Sequence, residues 1–225
     1  MKWCIKMSPI YIWKDIPWYE PNENTVFYFP LTEDLVDHSW KSVTSTTTGS
    51  PTITTFNETK CLQLNWSSAI NISTTLSTLD NVFISCRCYC SSTGPWFFWN
   101  QPCWVMNGFW MSLPNTSYFR CERYYSSSYS QAKDISWNYT NAWHMYSISN
   151  WNIYVDWTYW NKFDANSLNG NQPLCIWWHT VNSSCTRQYA TWYIADVIME
   201  NKSWWRSAQE ISDYYNMTKW NYWIS

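Results

Sequence analysis

Residues 141–159, with the sequence NAWHMYSISNWNIYVDWTY, decide the fold class. Two runs rich in β-branched and aromatic residues, AWHMYSIS and NIYVD, are separated by Asn150 and Trp151, and a second turn context begins at Asp156. Such runs, bounded by turn residues, are typical of short antiparallel strands joined by tight turns. The stretch is therefore expected to form consecutive hairpin strands.

The same pattern of short strands extends along the chain from Thr25. Further strand-like runs are TVFYFPL, PTITTF, KCLQLN, SAINIS, NVFISCRCYC, PLCIWW and TWYIADVIME, and a hairpin is expected around residues 103–124. The Ser/Thr run at 42–50 and the YYSSSYS run at 124–130 favour loops between strands. At 225 residues the chain fits one β-sandwich with a single core.

One segment near the C-terminus predicts a helix. Ile211, Tyr214 and Tyr215 form an i, i+3, i+4 stripe, and Ser207 with Glu210 matches a capping box. The predicted fold class is therefore all-β, a two-sheet antiparallel jelly-roll sandwich with one short C-terminal helix.

The chain divides into an arm, a domain and a tail. Residues 1–24 are punctuated by proline and predict an arm or attachment segment, residues 25–217 the sandwich, and residues 218–225 a tail. No stretch approaches the length of a bilayer span, and Lys6 and Pro9 interrupt the first apolar run before an export signal can form. Neither membrane insertion nor a signal peptide is expected.

Charge and cysteine content exclude several function classes. The chain carries 14 Lys and Arg against 16 Asp and Glu, without a run of either sign, so nucleic acid is not an expected partner. Its nine cysteines are an odd number and do not form C-x-x-C pairs, which disfavours a disulfide framework and a zinc site. Cys86, Cys88 and Cys90 alternate along one strand and are predicted to be core thiols.

Tryptophan and glycine usage is inverted: the chain has 21 Trp and only 4 Gly. Several tryptophans, including Trp40, Trp66, Trp151 and Trp157, stand in contexts where Asn-Gly or Asp-Gly would signal a turn. We hypothesise that UGA codons meaning glycine underlie many of these tryptophans. Trp143 is expected to be a true tryptophan, and the alternative is a Trp-rich lectin whose indoles stack on sugars.

The order of these segments resembles the laminin-G-like, concanavalin A-like lectin family over residues 25–217. YFPLTEDLVDHSWKS is similar to its first strand and turn, NVFISCRCYC to its long central strand, and NAWHMYSISNWNIYVDWTY to its W-H and Y-V-D-G hairpin. Arg87 departs from the pattern, because the family's central strand usually carries an aromatic there. The resemblance implies a jelly roll that binds carbohydrate, with calcium in some relatives.

The segment SPIYIWKDIPWYEPNENTV also resembles the short leaders of phage tail-fibre and virion structural proteins from recoded genomes. That resemblance implies a virion or tail component displayed on an extracellular surface, with other virion or tail proteins as partners.

Catalytic and metal-binding patterns are weak in this sequence. Asp196 and Glu200 lie four apart on one strand, ~13 Å when extended, which is too far for glycosidase carboxylates. No serine lies in a G-x-S-x-G elbow, and neither His38, His144 nor His179 has a second ligand at metal spacing. Asp156 could supply calcium with a carboxylate, but its context favours a turn residue. No enzyme activity and no cofactor are expected.

Carbohydrate recognition requires flat aromatic faces beside amide or carboxylate groups. Loop residues of both kinds are predicted as the ligand-binding site: Tyr124, Tyr125, Tyr129, Asn138, Tyr139 and Asn141. Packing of the tyrosines on sheet edges is an equal alternative for each one. The predicted function is non-enzymatic binding to a glycan or host cell-surface polysaccharide; the alternatives are a purely structural assembly domain and, third, a glycoside hydrolase.

Overall fold

The computed structural model describes most of the chain: residues 19–65, 68–76, 80–91, 96–99, 108–115, 118–126, 129–136, 141–163, 172–176, 192–201 and 206–218. Within these ranges the chain forms fifteen strands and one helix. They are β1 Thr25–Phe29, β2 Ser45–Thr48, β3 Thr52–Phe56, β4 Thr59–Leu64, β5 Ala69–Leu76, β6 Val82–Cys90, β7 Trp96–Trp99, β8 Gly108–Asn115, β9 Tyr118–Ser126, β10 Tyr129–Ser136, β11 Trp143–Ser149, β12 Asn152–Val155, β13 Thr158–Lys162, β14 Gln172–Ile176, β15 Trp192–Asn201 and α1 Ala208–Thr218.

The strands form two antiparallel sheets. Sheet A has the order β13-β12-β11-β6-β15-β4-β3, and β1 pairs with β15 as well. Sheet B has the order β10-β9-β8-β7-β14-β5-β2. The prediction of an all-β, two-sheet antiparallel sandwich with one short C-terminal helix is confirmed.

The core between the sheets is apolar and contains a row of thiols. Cys86, Cys88 and Cys90 are buried on the face of β6 that also carries Val82 and Ile84, as the alternation predicts. We call this face of sheet A the inner face. Burial raises the pKa of the Cys86 and Cys88 thiols well above their ordinary value, so both stay protonated.

The opposite, outer face of sheet A has a second core under α1. Ile211, Tyr214 and Tyr215 are buried there, which confirms the predicted apolar stripe. The helix begins at the predicted capping box, where the Glu210 amide donates to Ser207 Oγ at 3.2 Å and the Ser207 amide donates to Glu210 Oε2 at 2.7 Å. The helix continues to Thr218, three residues beyond the predicted segment. Within the described residues no helix has the length and apolarity needed to cross a membrane.

Two predicted loops are wrong. β2 occupies residues 45–48 of the Ser/Thr run, and the YYSSSYS run mostly continues β9 and begins β10. Threonine and tyrosine fit the pleated surface of a sheet well, and pairing with neighbouring strands outweighs the turn preference of the serines between them. Strands β7, β10 and β13 were also not predicted.

The structure describes residues at the inner ends of the predicted arm and tail. Tyr19 lies in the predicted arm but is buried in the outer core, and its hydroxyl donates to Glu200 Oε1 at 2.6 Å. Thr218 lies in the predicted tail but is the last, buried residue of α1. Residues 1–18 and 219–225 lie outside the described ranges, so a separate arm and tail stay predictions.

Candidate functional site

Helix α1 covers one end of the outer face of sheet A and stops near its middle. On β6 the outer-face positions run from Phe83 to Tyr89, because the cysteines between them point inward. Phe83 contacts the ring of Tyr214, and Arg87 donates to the hydroxyl of Thr218, the last helical residue. Tyr89, the next outer position, therefore lies beyond the end of the described helix.

The helix end rests on a buried ion pair. Arg87 Nη1 donates to Asp196 Oδ2 at 2.5 Å, and the side chains are 0% and 1% exposed. The guanidinium carbon also lies 4.8 Å from the centre of the Tyr214 ring, a favourable cation–π position. The ion pair explains how a charge is accommodated where the lectin pattern has an aromatic.

Beyond the helix, four aromatic side chains meet on the outer face. We call Phe56, Tyr89, Trp143 and Tyr193 the outer aromatic cluster. Strand register places Trp143 opposite Tyr89 and Tyr89 opposite Tyr193 on three adjacent strands. Phe56 arrives from β3 and lies parallel to Tyr193, with ring centres 3.9 Å apart and planes 8° apart. The remaining contacts are edge-on, at 4.7 Å between Phe56 and Tyr89 and 5.9 Å between Tyr89 and Trp143.

The cluster is open to solvent and bordered by uncharged polar groups. Phe56, Tyr89 and Tyr193 are only partly buried, whereas Trp143, beside Tyr89, is buried. Three polar side chains lie on the same face, because residues directly opposite each other in paired strands share a face. Gln63 is opposite Tyr193, Thr52 is opposite Gln63, and Thr54 is opposite Cys61. This arrangement presents aromatic rings together with amide and hydroxyl groups.

Asn141 links the predicted site to this surface. It is exposed, lies two residues before Trp143, and its amide donates to the Cys90 carbonyl at 2.7 Å, at the end of β6 next to Tyr89. Of the four predicted site residues that the structure describes, it is the one placed beside the cluster.

Three other predicted site residues lie at the far end of β10 from Asn141. Tyr124 and Tyr125 are in β9 and Tyr129 begins β10, so they stand at the turn of the β9–β10 hairpin. Ser136 ends β10 on the side that leads to Asn141, ~23 Å from Tyr129 along an extended strand. The strand therefore separates the described hairpin residues from Asn141, and a ligand-binding site at these six residues stays a prediction. Asn138 and Tyr139 lie outside the described residues.

The tryptophans in turn contexts behave differently from one another. Asn150 and Trp151 form a two-residue turn between β11 and β12, with φ of 45° and 71°. Asn-Gly is the preferred sequence for such a turn, because both central φ angles are positive. The Trp151 indole is nevertheless buried and donates to Asp80 Oδ1 at 2.6 Å. Trp40 and Trp157 are exposed and do not adopt positive φ, and Trp66 lies outside the described residues.

The carboxylates that could serve catalysis are engaged elsewhere. Glu200 forms a two-point ion pair with Arg206, at 2.7 and 2.8 Å, and Asp196 is bound to Arg87. These contacts give both side chains structural partners under α1.

Asp156 acts as a turn residue. It has φ of 57° between β12 and β13, its Oδ1 accepts from the Met145 amide at 3.0 Å, and its Oδ2 lies 3.0 Å from His144 Nδ1. Within the described ranges no group of three or more His, Cys, Asp or Glu side chains could hold a metal ion. Both oxygens of the carboxylate proposed for calcium thus have protein partners.

The sequence contained part of the signal for the outer aromatic cluster. Tyr89 alternates with inward-facing cysteines in NVFISCRCYC, which places it on the opposite face of the strand. Tyr193 occupies an outward position in TWYIADVIME. The sequence did not show that β6 pairs with β15 or that Phe56 on β3 contacts Tyr193, because both depend on strand order.

Comparison with known proteins identifies the fold. No protein-family model and no curated protein matches the chain. A structure of botulinum neurotoxin type C, whose cell entry depends upon interaction with two ganglioside molecules, is similar with a TM-score of 0.68 and 12% identity, over 87% of this chain and 51% of that one. The receptor-binding domain of botulinum neurotoxin type G is similar with a TM-score of 0.67 and 14% identity, over 86% and 51%.

A third similar structure is the binding domain of botulinum neurotoxin DC in complex with rat synaptotagmin II, with a TM-score of 0.67 and 11% identity over 88% and 52% of the two chains. The type G and type DC structures are binding domains, and the type C toxin interacts with ganglioside molecules. The chain spans about half the length of each. At these identities the likeness establishes a shared fold.

Proposed function

We propose that this protein is a non-enzymatic, lectin-like module that binds a cell-surface glycan through the outer aromatic cluster. The observation that carries the proposal is the partly exposed set Phe56, Tyr89 and Tyr193, held on three strands and bordered by amide and hydroxyl groups. Aromatic rings cover the apolar C–H faces of sugars, and amides and hydroxyls bind their hydroxyl groups. The site would remain if the doubtful tryptophans were glycine in the native protein, because its exposed rings are phenylalanine and tyrosine.

The similar structures support a binding role. One belongs to a toxin that interacts with ganglioside molecules and another was solved with synaptotagmin II, so surface recognition occurs among proteins that contain this fold. Because this chain spans about half of those proteins, the glycan role rests on its own aromatic cluster first and on the likeness second.

We propose further that the module belongs to a virion, as a tail-fibre or adhesion component facing a host surface. The support is the leader-like segment before Thr25, whose last residues pack on the sandwich through Tyr19. Multimeric display on a fibre would strengthen weak sugar binding through avidity. Peptide mapping of purified virions tests this location, and absence of the protein from them would refute it.

We also propose that glycine replaces tryptophan at several turn positions of the native protein. The support is the φ of 71° at Trp151, in a turn type where glycine avoids the steric cost of a Cβ atom. Codons under Trp40, Trp66, Trp151 and Trp157, together with peptide masses from native material, test the hypothesis. UGG codons and tryptophan masses would refute it.

Affinity measurements on variants test the glycan site. Tyr193→Ala removes a ring that stacks on Phe56, and we expect at least about tenfold weaker binding to the best glycan on an array. Tyr193→Phe keeps the ring and should bind within a fewfold of the parent protein. Tyr124→Ala, in the β9–β10 hairpin, is the matched control from the other predicted site. Loss of binding in Tyr124→Ala alone would move the site there, and no binding by the parent protein would favour the structural-module alternative.

A further inference from the structure

We infer that the outer aromatic cluster selects uncharged glycans and excludes sialylated, sulfated and uronic-acid-rich ones. The inference rests on the proposed function and adds the chemical class of the ligand. It follows from the charges that the described residues place on, beneath and beside the cluster.

Four side chains beside the cluster, those of Gln63, Thr52, Thr54 and Asn141, carry no formal charge. Register places Gln63 opposite Tyr193, Thr52 opposite Gln63 and Thr54 opposite Cys61, and Asn141 lies next to the end of β6. Amides and hydroxyls donate and accept hydrogen bonds but leave a carboxylate or sulfate without a counter-charge.

The cation nearest the cluster along β6 is already neutralised. Arg87 lies one outer-face position from Tyr89, but it is fully buried, paired with Asp196 and bonded to Thr218. Its guanidinium also faces the Tyr214 ring. A ligand on the cluster therefore meets no available arginine from this strand.

Other charges near β3 and β4 do not supply a binding cation. Lys60 alternates with outward-facing Cys61, so it points to the other side of the sheet, where its Nζ lies 3.7 Å from Glu33 Oε1. Glu58 is exposed in the turn that follows Phe56 and carries the wrong sign for an anionic sugar. Burying an ionised group against aromatic rings without a counter-charge is costly. A neutral pyranose avoids that cost and still covers the rings.

A glycan panel in matched pairs tests the inference. Neutral hexose and N-acetylhexosamine oligosaccharides are compared with their sialylated and sulfated counterparts, at about 0.05 M and about 0.5 M NaCl, where screening lengths differ severalfold. We expect binding to neutral members, less than about twofold change with salt, and a loss in Tyr193→Ala. Preference for anionic members with strong weakening in salt would overturn the inference while leaving glycan binding intact. No binding to any member would overturn the proposed function itself.

A charge insertion provides the second test. Gln63→Lys places a cation opposite Tyr193, and we expect it to gain binding to sulfated counterparts at low salt, whereas the matched variant Gln63→Glu should not. If Gln63→Lys leaves the discrimination between neutral and sulfated glycans unchanged while both variants fold, the selectivity does not arise from the uncharged border and the inference is wrong.

Discussion

Arg87 and Asp196 face each other across β6 and β15, and Nη1 of the arginine donates to Oδ2 of the aspartate at 2.5 Å beneath the end of α1. A bulge at Ala195 shifts the register so that the two side chains stand opposite. The pair joins the central strands to the helix through Thr218. It lies between the last described residue of α1 and the outer aromatic cluster.

Removing one partner of this pair should destabilise the protein strongly. Arg87→Met leaves the Asp196 carboxylate buried without its counter-charge, and we expect a loss of about 3–5 kcal/mol in the free energy of unfolding. The measurement is urea denaturation at neutral pH. The matched control is Arg120→Met, because Arg120 and Asp134 are 32% and 42% exposed and such surface pairs contribute about 0–1 kcal/mol. Equal losses in the two variants would contradict the structure.

Stability should fall when the pH rises above 9. Burial raises the pKa of Cys86, Cys88 and Cys121 well above 9.0, and raises the pKa of Cys61 to about 12. The unfolded chain then releases thiol protons that the folded chain keeps, so deprotonation favours unfolding by about 1.4 kcal/mol per pH unit for each such thiol. The stabilisation is complete below pH 9 and is lost as the pH rises toward the folded-state pKa. Reduced protein is unfolded in urea at pH 7, 9 and 10, and a constant midpoint would contradict the burial of these thiols.

The capping box should stabilise α1 by a measurable amount. Ser207→Ala removes the acceptor for the Glu210 amide, and we expect a loss of about 1 kcal/mol. Hydrogen exchange of the first helical turn should increase in the same variant. Ser212→Ala, in the middle of the helix, is the control and should have a smaller effect. A larger effect at Ser212 would mean that the helix start does not depend on the cap.

The positive φ at Trp151 predicts that glycine is more stable than alanine at this position. Trp151→Gly and Trp151→Ala both remove the indole and its hydrogen bond to Asp80, but only glycine adopts φ of 71° without steric cost. We expect the glycine variant to be more stable than the alanine variant by about 1–2 kcal/mol. Thermal unfolding of the two proteins is the measurement. An alanine variant that is equally stable would show that this turn has no requirement for glycine.

The sequence predicted the fold well because the relevant signals are local. Alternation in β6 placed the cysteines in the inner core, and the Ser207–Glu210 pattern placed the start of α1. Strands β2 and β10 were missed because threonine and tyrosine among serines satisfy both turn and strand preferences. Pairing with neighbouring strands decides such cases, and it is not visible along the chain.

The proposed binding surface was harder to predict, because it is assembled from four strands. Phe56 and Tyr193 are 137 positions apart and meet only through the strand order of sheet A. Tyr124 and Asn141 looked close because both flank β10, yet the extended strand keeps the hairpin turn and the β11 start apart. Local composition predicted the same chemistry, aromatic rings with amides, at residues other than those of the site proposed from the structure.

Side-chain footprinting tests the central claim, that the outer aromatic cluster is the glycan site. Hydroxyl-radical oxidation of the parent protein is compared with and without a saturating amount of the neutral oligosaccharide that binds best in the panel. We predict protection of Phe56, Tyr89 and Tyr193, and unchanged oxidation of Tyr124, Tyr125 and Tyr129. Protection of the hairpin tyrosines with no change at the cluster would contradict the account.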